Sequence, residues 1–169
     1  MKSYFAFFLA LLVFYSCENG NYKEQIKNYI DYQSTRKNLT QFLSLYDEKI
    51  QYEDVSFKDK KVGKEMLKAK FEVEWNDSLR TFHESYPKAI SVENVFYDND
   101  KVIIKGMVLP YYYNKNLIQH KRFITCLYFN DKGKIIKQED WIDYPSQELL
   151  QVYQMQQNLE NAVISGGME

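Results

Sequence analysis

The sequence predicts an α+β domain, with helices packed on one face of a curved, mostly antiparallel sheet, and three observations lead there. First, Ile118 to Tyr144 (IQHKRFITCLYFNDKGKIIKQEDWIDY) reads as two long antiparallel strands joined by the turn Asn130–Gly133. β-Branched and aromatic residues flank that turn on both sides, from Phe123 to Phe129 before it and at Ile135, Ile136, Trp141 and Ile142 after it. Second, residues recur on one face at helical spacing in the first half of the chain: Ile26, Tyr29 and Ile30 with the polar Gln33, then Leu39, Phe42, Leu43 and Tyr46, then Leu67, Phe71 and Trp75. Third, from Pro87 onward the chain reads as four strands, so helices and strands are segregated rather than alternating.

The elements follow in order. Residues 1–16 (MKSYFAFFLALLVFYS) carry one basic residue and an apolar run from Tyr4 to Tyr15, too short to span a bilayer comfortably and matching the apolar region of a signal peptide. With Cys17 directly after Ser16, the segment resembles a bacterial lipoprotein signal, although Phe14 stands where such signals usually carry Leu. The resemblance implies cleavage before Cys17, lipidation of its thiol, and anchoring to a membrane of the cell envelope. Residues 17–24 are then a lipidated cysteine and tether, 25–160 the folded domain, and 161–169 a flexible tail.

Within the domain, two helices precede a strand over Lys49–Val55 that sets Ile50, Tyr52 and Asp54 on one side. Gly63 opens a third helix. Ile90–Tyr97 and Val102–Pro110 form a hairpin around Asp98–Asp100, and Tyr111–Asn116 is an aromatic connection into the long hairpin. Ser146 can cap a last helix carrying Leu149, Val152, Tyr153 and Leu159. The second cysteine, Cys126, reads as a small buried hydrophobe.

Composition excludes several classes. The chain has 169 residues, enough for one domain with a real core, and 22 basic against 23 acidic residues scattered among one another. A nucleic-acid surface needs a one-sided basic field, so no nucleic-acid partner is expected. No Gly-rich phosphate loop, GxSxG, CxxC or HExxH occurs, which argues against nucleotide hydrolysis, an α/β-hydrolase and a zinc protease. His120 and Arg122 alternate onto a strand face with no further ligand nearby, and His83 sits in a polar segment; neither metal nor cofactor is implied.

The pattern resembles the nuclear transport factor 2-like superfamily, the cone-shaped α+β fold of SnoaL-like polyketide cyclases and ketosteroid isomerase. Three segments carry the resemblance: Phe42–Asp54 (FLSLYDEKIQYED), Gly63–Glu65 (GKE) and Tyr128–Ile136 (YFNDKGKII). It covers residues 25 to 144. In ketosteroid isomerase the proton-shuttling Asp lies in a Glu-Asp pair ending the first strand, where Glu53 and Asp54 stand here. Tyr29 looks equivalent to its oxyanion Tyr on the first helix. Its second oxyanion group, an Asp, is replaced by Thr125, so steroid isomerisation itself is not implied.

Counting from the turn, Gln138, Asp140 and Ile142 face the expected pocket, and Asp140 can oppose Asp54 across it. Two carboxylates in a partly apolar pocket can divide acid and base roles. Asp54, Tyr29 and Asp140 are therefore the candidate catalytic residues, and Thr125, Leu127, Gln138, Ile142 and Trp75 the candidate ligand-binding ones. Each has a plainer reading: Asp54 as a strand-end residue bonding a backbone amide, Tyr29 as a core aromatic, Asp140 as an outward residue if the register slips by one.

The leading expectation is a cell-envelope lipoprotein whose pocket binds a small, largely apolar molecule. It dimerises with a second copy through the exposed face of the strand carrying Ile118, His120, Arg122, Ile124, Cys126 and Tyr128. One alternative is a cofactor-free lyase, isomerase or hydrolase using Asp54; another is a dimeric interaction module without ligand.

Overall fold

The computed structural model of the chain describes residues 20–146 and 148. Cys17, the apolar leader and the residues expected to form the last helix and tail lie outside them. The described part is an α+β arrangement: three helices lie against one face of a six-stranded, mostly antiparallel sheet.

Helix α1 spans Gly20–Thr35, so it begins inside the segment read as a tether. Tyr22 accounts for that early start, its ring 4.9 Å from that of Phe129. Ile26 and Tyr29 are buried on the predicted face. Helix α2, Leu39–Ser44, is too short to persist without packing and is held by Phe42. Phe42 is 0% exposed and meets Tyr29, Tyr46, Phe71 and Trp75 at ring distances of 4.9 to 5.6 Å. Tyr46 is not the helical residue its spacing suggested; it opens strand β1, Tyr46–Asp54, whose Ile50, Tyr52 and Asp54 point inward. Helix α3, Lys64–Asn76, starts after Gly63 and buries Leu67 and Phe71.

Strand β2, Asp59–Val62, pairs with β1 and was not evident in its charged sequence DKKV. The hairpin of β4 (Ile90–Asp98) and β5 (Lys101–Val108) has a bulge between Val92 and Asn94, which bends and twists the sheet locally. Gly106 sits at that bend, where an added Cβ would fall 2.2 Å from the carbonyl oxygen of Ser91 and 2.9 Å from the Phe123 ring. Strands β8 (Lys121–Phe129) and β9 (Ile135–Ile142) form the long hairpin. Its turn is closed by Gly133 N–H donating to the Asn130 carbonyl at 2.8 Å, with Gly133 at φ 71°. β9 continues the sheet by running parallel to β1, giving the order β2-β1-β9-β8-β5-β4.

The aromatic connection is also more structured than its sequence suggested. Tyr111–Tyr113 (β6) pairs on one side with β3, Arg80–Phe82, and on the other with Asn116–Ile118 (β7), as a second, three-stranded sheet. Ile118 and His120 consequently precede β8 instead of belonging to it. Cys126 is half-exposed on the outer face of β8 rather than buried, because alternation sends Phe123, Thr125, Leu127 and Phe129 inward and Arg122, Ile124, Cys126 and Tyr128 outward. That outer face leaves Phe96, Ile124, Ile136 and Trp141 exposed.

Candidate functional site

Strand register decides which side chains share the concave face. Asp54 is paired with Asp140, and Asp140 with Thr125, giving one inward row across β1, β9 and β8. The next row is Tyr52, Gln138 and Leu127, and Phe123 pairs with Ile142 on the other side. Asp54 and Asp140 are thus neighbours on adjacent parallel strands, not groups facing each other across a pocket. Between this face and helices α1 and α3 lies a cavity of ≈ 300 Å³. Its apolar wall is built by Phe57, Phe71, Ile90, Ile104, Val108, Phe123 and Ile142.

At the centre of the row, both oxygens of Asp140 are held. The Thr125 hydroxyl donates to one at 2.6 Å and the Gln138 amide to the other at 2.8 Å. Gln138 in turn accepts from the Tyr46 hydroxyl at 2.7 Å, so a buried chain Tyr46–Gln138–Asp140–Thr125 runs across the sheet. Asp140 keeps some accessible surface because it faces the cavity, yet protein encloses it. Burial pushes its carboxyl up to about 6; the Thr125 and Gln138 donors oppose this and the charge of Asp54 adds to it. Tyr29 and Tyr52 lie alongside, both hydroxyls raised first by burial and then by the charge of Asp140.

Asp54 is 4% exposed and does different work. One oxygen accepts the backbone N–H groups of Ser56 and Phe57 at 3.0 and 3.2 Å, and the other accepts the Tyr144 hydroxyl at 2.8 Å. These bonds close the turn between β1 and β2, a common role for Asp at a strand end.

Of the residues predicted from sequence, the structure brings Tyr29, Asp54, Asp140, Thr125 and Ile142 to the cavity wall. Three others do not line it. Leu127 is 0% exposed in the core, Gln138 sits behind Asp140 as its hydrogen-bond donor, and Trp75 packs against Phe42 and Phe71. His120 is exposed, and His83 stacks on Tyr112 at 5.5 Å; neither lines the cavity. Among the described residues, no cluster of three or more His, Cys, Asp or Glu has the arrangement of a metal site.

The sequence reading missed the charged part of the lining: Arg36, Lys70, Glu74, Arg80, Lys121 and Glu148, with Tyr144. Lys121 had a signal, since it occupies an inward position in the alternation of β8 and is 4% exposed. Arg36 and Arg80 had none, because they reach the cavity from a helix end and from an unrecognised short strand. Lys121 pairs with Glu148, and burial is the main cause of its lowered pKa. Lys70 pairs with Glu74 at 2.6 Å and with Asp59 at 3.6 Å.

This architecture is that of known proteins. A proposed SnoaL-like polyketide cyclase from Shewanella denitrificans aligns with a TM-score of 0.59 and 16% identity over 77% of this chain and 96% of its own. An epoxide hydrolase of M. tuberculosis aligns at 0.57 with 12% identity over 86% and 93%, and a steroid delta-isomerase of Pseudomonas aeruginosa at 0.57 with 12% identity over 88% and 98%. No family model and no curated protein matches the sequence. The chain has the nuclear transport factor 2-like fold. Identity this low speaks for the fold alone.

Proposed function

We propose that the chain binds a small organic molecule with a mostly apolar body in the cavity between the sheet and helices α1 and α3. The cavity carries this reading: ≈ 300 Å³ with an apolar wall and a few convergent polar groups. Protein interiors are otherwise close-packed, and such a space with such a lining is the usual form of a ligand site. A fold shared with a steroid isomerase and an epoxide hydrolase is consistent with that ligand class. Native mass spectrometry of the purified protein tests the proposal. A small molecule retained by the native chain should be lost from Val108→Trp, which fills the cavity. Absence of any retained mass, together with no thermal shift from a panel of small apolar compounds, would remove the reading.

A second reading, cofactor-free acid–base catalysis, is favoured by one observation, the Asp140 carboxyl at about 6 beside two phenols. A group poised near neutrality can both take and return a proton, and a carboxylate has more lone-pair positions than its two donors occupy. Asp54, the candidate from sequence, is committed to its turn, so the proton-transfer role passes to Asp140 with Tyr29 as hydroxyl donor. Asp140→Asn should then abolish turnover of any substrate found while ligand affinity stays within about tenfold.

Beyond the described residues, we propose from the leader alone that Cys17 is lipidated and holds the domain at a bacterial membrane; two or more chains on one cysteine meet the requirement for stable anchoring. Metabolic labelling with a fatty-acid probe should mark the native chain, and equal labelling of Cys17→Ala would overturn this. The exposed apolar residues on the outer sheet face support a homodimer formed there.

A further inference from the structure

The chain contains three arginines, and two of them, Arg36 and Arg80, line this one cavity. Its four carboxylates are already engaged. Asp54 is held by two backbone amides and Tyr144, Asp140 by Thr125 and Gln138, Glu74 by Lys70, and Glu148 by Lys121. That leaves the two guanidinium groups. Among the described residues neither lies within ion-pair distance of a carboxylate. Arg36 donates from Nη1 to the backbone carbonyl of Glu74 at 3.2 Å, and its buried Nε has no acceptor. Arg80 stacks on Tyr111, its guanidinium carbon 3.8 Å from the ring centroid. This leaves its in-plane N–H donors unused by the ring.

Arg36 follows α1 at φ 53°, the left-handed conformation in which helices commonly end. The Arg36 pKa is pushed down to about 10, first by burial and then by the positive charge of Arg80, with Glu74 opposing. A partly buried guanidinium with a spare donor, beside a second like charge on the same cavity, is the arrangement a bound anion relieves.

We infer that Arg36 and Arg80 form the head-group site of the cavity, and that the ligand is an amphipathic monoanion whose carboxylate or similar oxyanion they clasp while its apolar body lies toward Asp140. The chain rises about 10 Å along α1 between Tyr29 and Arg36, so the cationic and acidic poles stand two helical turns apart. Asp140 at the far pole repels a second negative charge, which selects a ligand charged at one end only. The apolar residues Ile90, Val108 and Phe123 supply the wall between the poles.

This rests on the ligand-binding reading above, and one titration series separates the two. Octanoate, octyl sulfate, octanol and octylamine are titrated calorimetrically into the full chain at pH 7.5 and into Arg36→Gln and Arg80→Gln. The inference expects octanoate and octyl sulfate to bind the native chain at least about tenfold tighter than octanol, as charge-assisted hydrogen bonds imply. Either variant should lose that advantage while octanol affinity stays within about threefold. Arg36→Lys should recover part of it, and added salt should weaken octanoate alone. Octanol or octylamine binding as tightly as the anions would overturn the inference and leave ligand binding intact. Should no probe bind, the inference falls, and the native mass spectrum together with the thermal-shift panel decides the ligand-binding reading. If Arg36→Gln does not fold, the native selectivity and Arg80→Gln still decide.

Discussion

Asp140 shows how one buried carboxyl shapes both stability and chemistry. Its folded pKa of about 6 lies above the ordinary carboxylate value, so the neutral acid is the form the fold prefers. The sign follows: stability from this group is complete below the unfolded pKa, near 4, and is lost as pH rises through about 6. Asp140→Asn should therefore unfold at higher urea concentration than the native chain at pH 8, by up to about 3 kcal/mol, with the gap closing by pH 4. Urea titrations at both pH values check this, and a variant weaker than native at pH 8 would contradict it. Tyr46→Phe should act the other way, since it leaves the buried Gln138 oxygen without its donor, and cost about 1–3 kcal/mol at any pH below Tyr ionisation.

Elements here depend on a few contacts that they do not contain. Helix α2 has six residues and is held by the aromatic group around Phe42. Phe42→Ala should cost about 3–5 kcal/mol, measured by denaturant unfolding. At Gly106 the obstruction is the Ser91 carbonyl, which is backbone and cannot swing aside. Gly106→Ala should cost about 1–3 kcal/mol and speed hydrogen exchange of β4 and β5 more than of β1. Uniform exchange across the sheet would show that the bulge does not depend on this glycine.

For the whole molecule, the curved sheet divides two surfaces of opposite character. Its concave side carries the cavity and the acidic row; its outer side exposes Ile124 beside Trp141, with Phe96 and Ile136 further out. A sheet face with that much apolar surface favours a partner. Sedimentation should show a dimer at micromolar concentration, dispersed to monomer by Ile124→Glu with Trp141→Lys. A native chain that stays monomeric there would set aside the second-copy reading without touching the cavity.

The periodicities of the chain were enough for the fold class, the three helices, the β4–β5 and β8–β9 hairpins and the inward set Ile50, Tyr52 and Asp54, because alternation and helical spacing are local; the pocket-facing places of Thr125 and Asp140 came from the family resemblance. They could not reveal that β9 lies parallel to β1, which makes Asp54 and Asp140 neighbours, since strand order is a choice among distant segments. Nor could they locate β2, β3, β6 and β7, whose short polar or aromatic sequences become strands only by pairing. The plainer reading of Asp54, a strand-end residue bonding nearby backbone amides, is what its bonds to Ser56 and Phe57 show, while its third partner, Tyr144, is remote in sequence and was hidden. Arg36 and Arg80 read as ordinary surface charges, 44 residues apart. Tertiary packing alone places a helix end and a short strand on one cavity, where neither guanidinium has a carboxylate partner among the described residues.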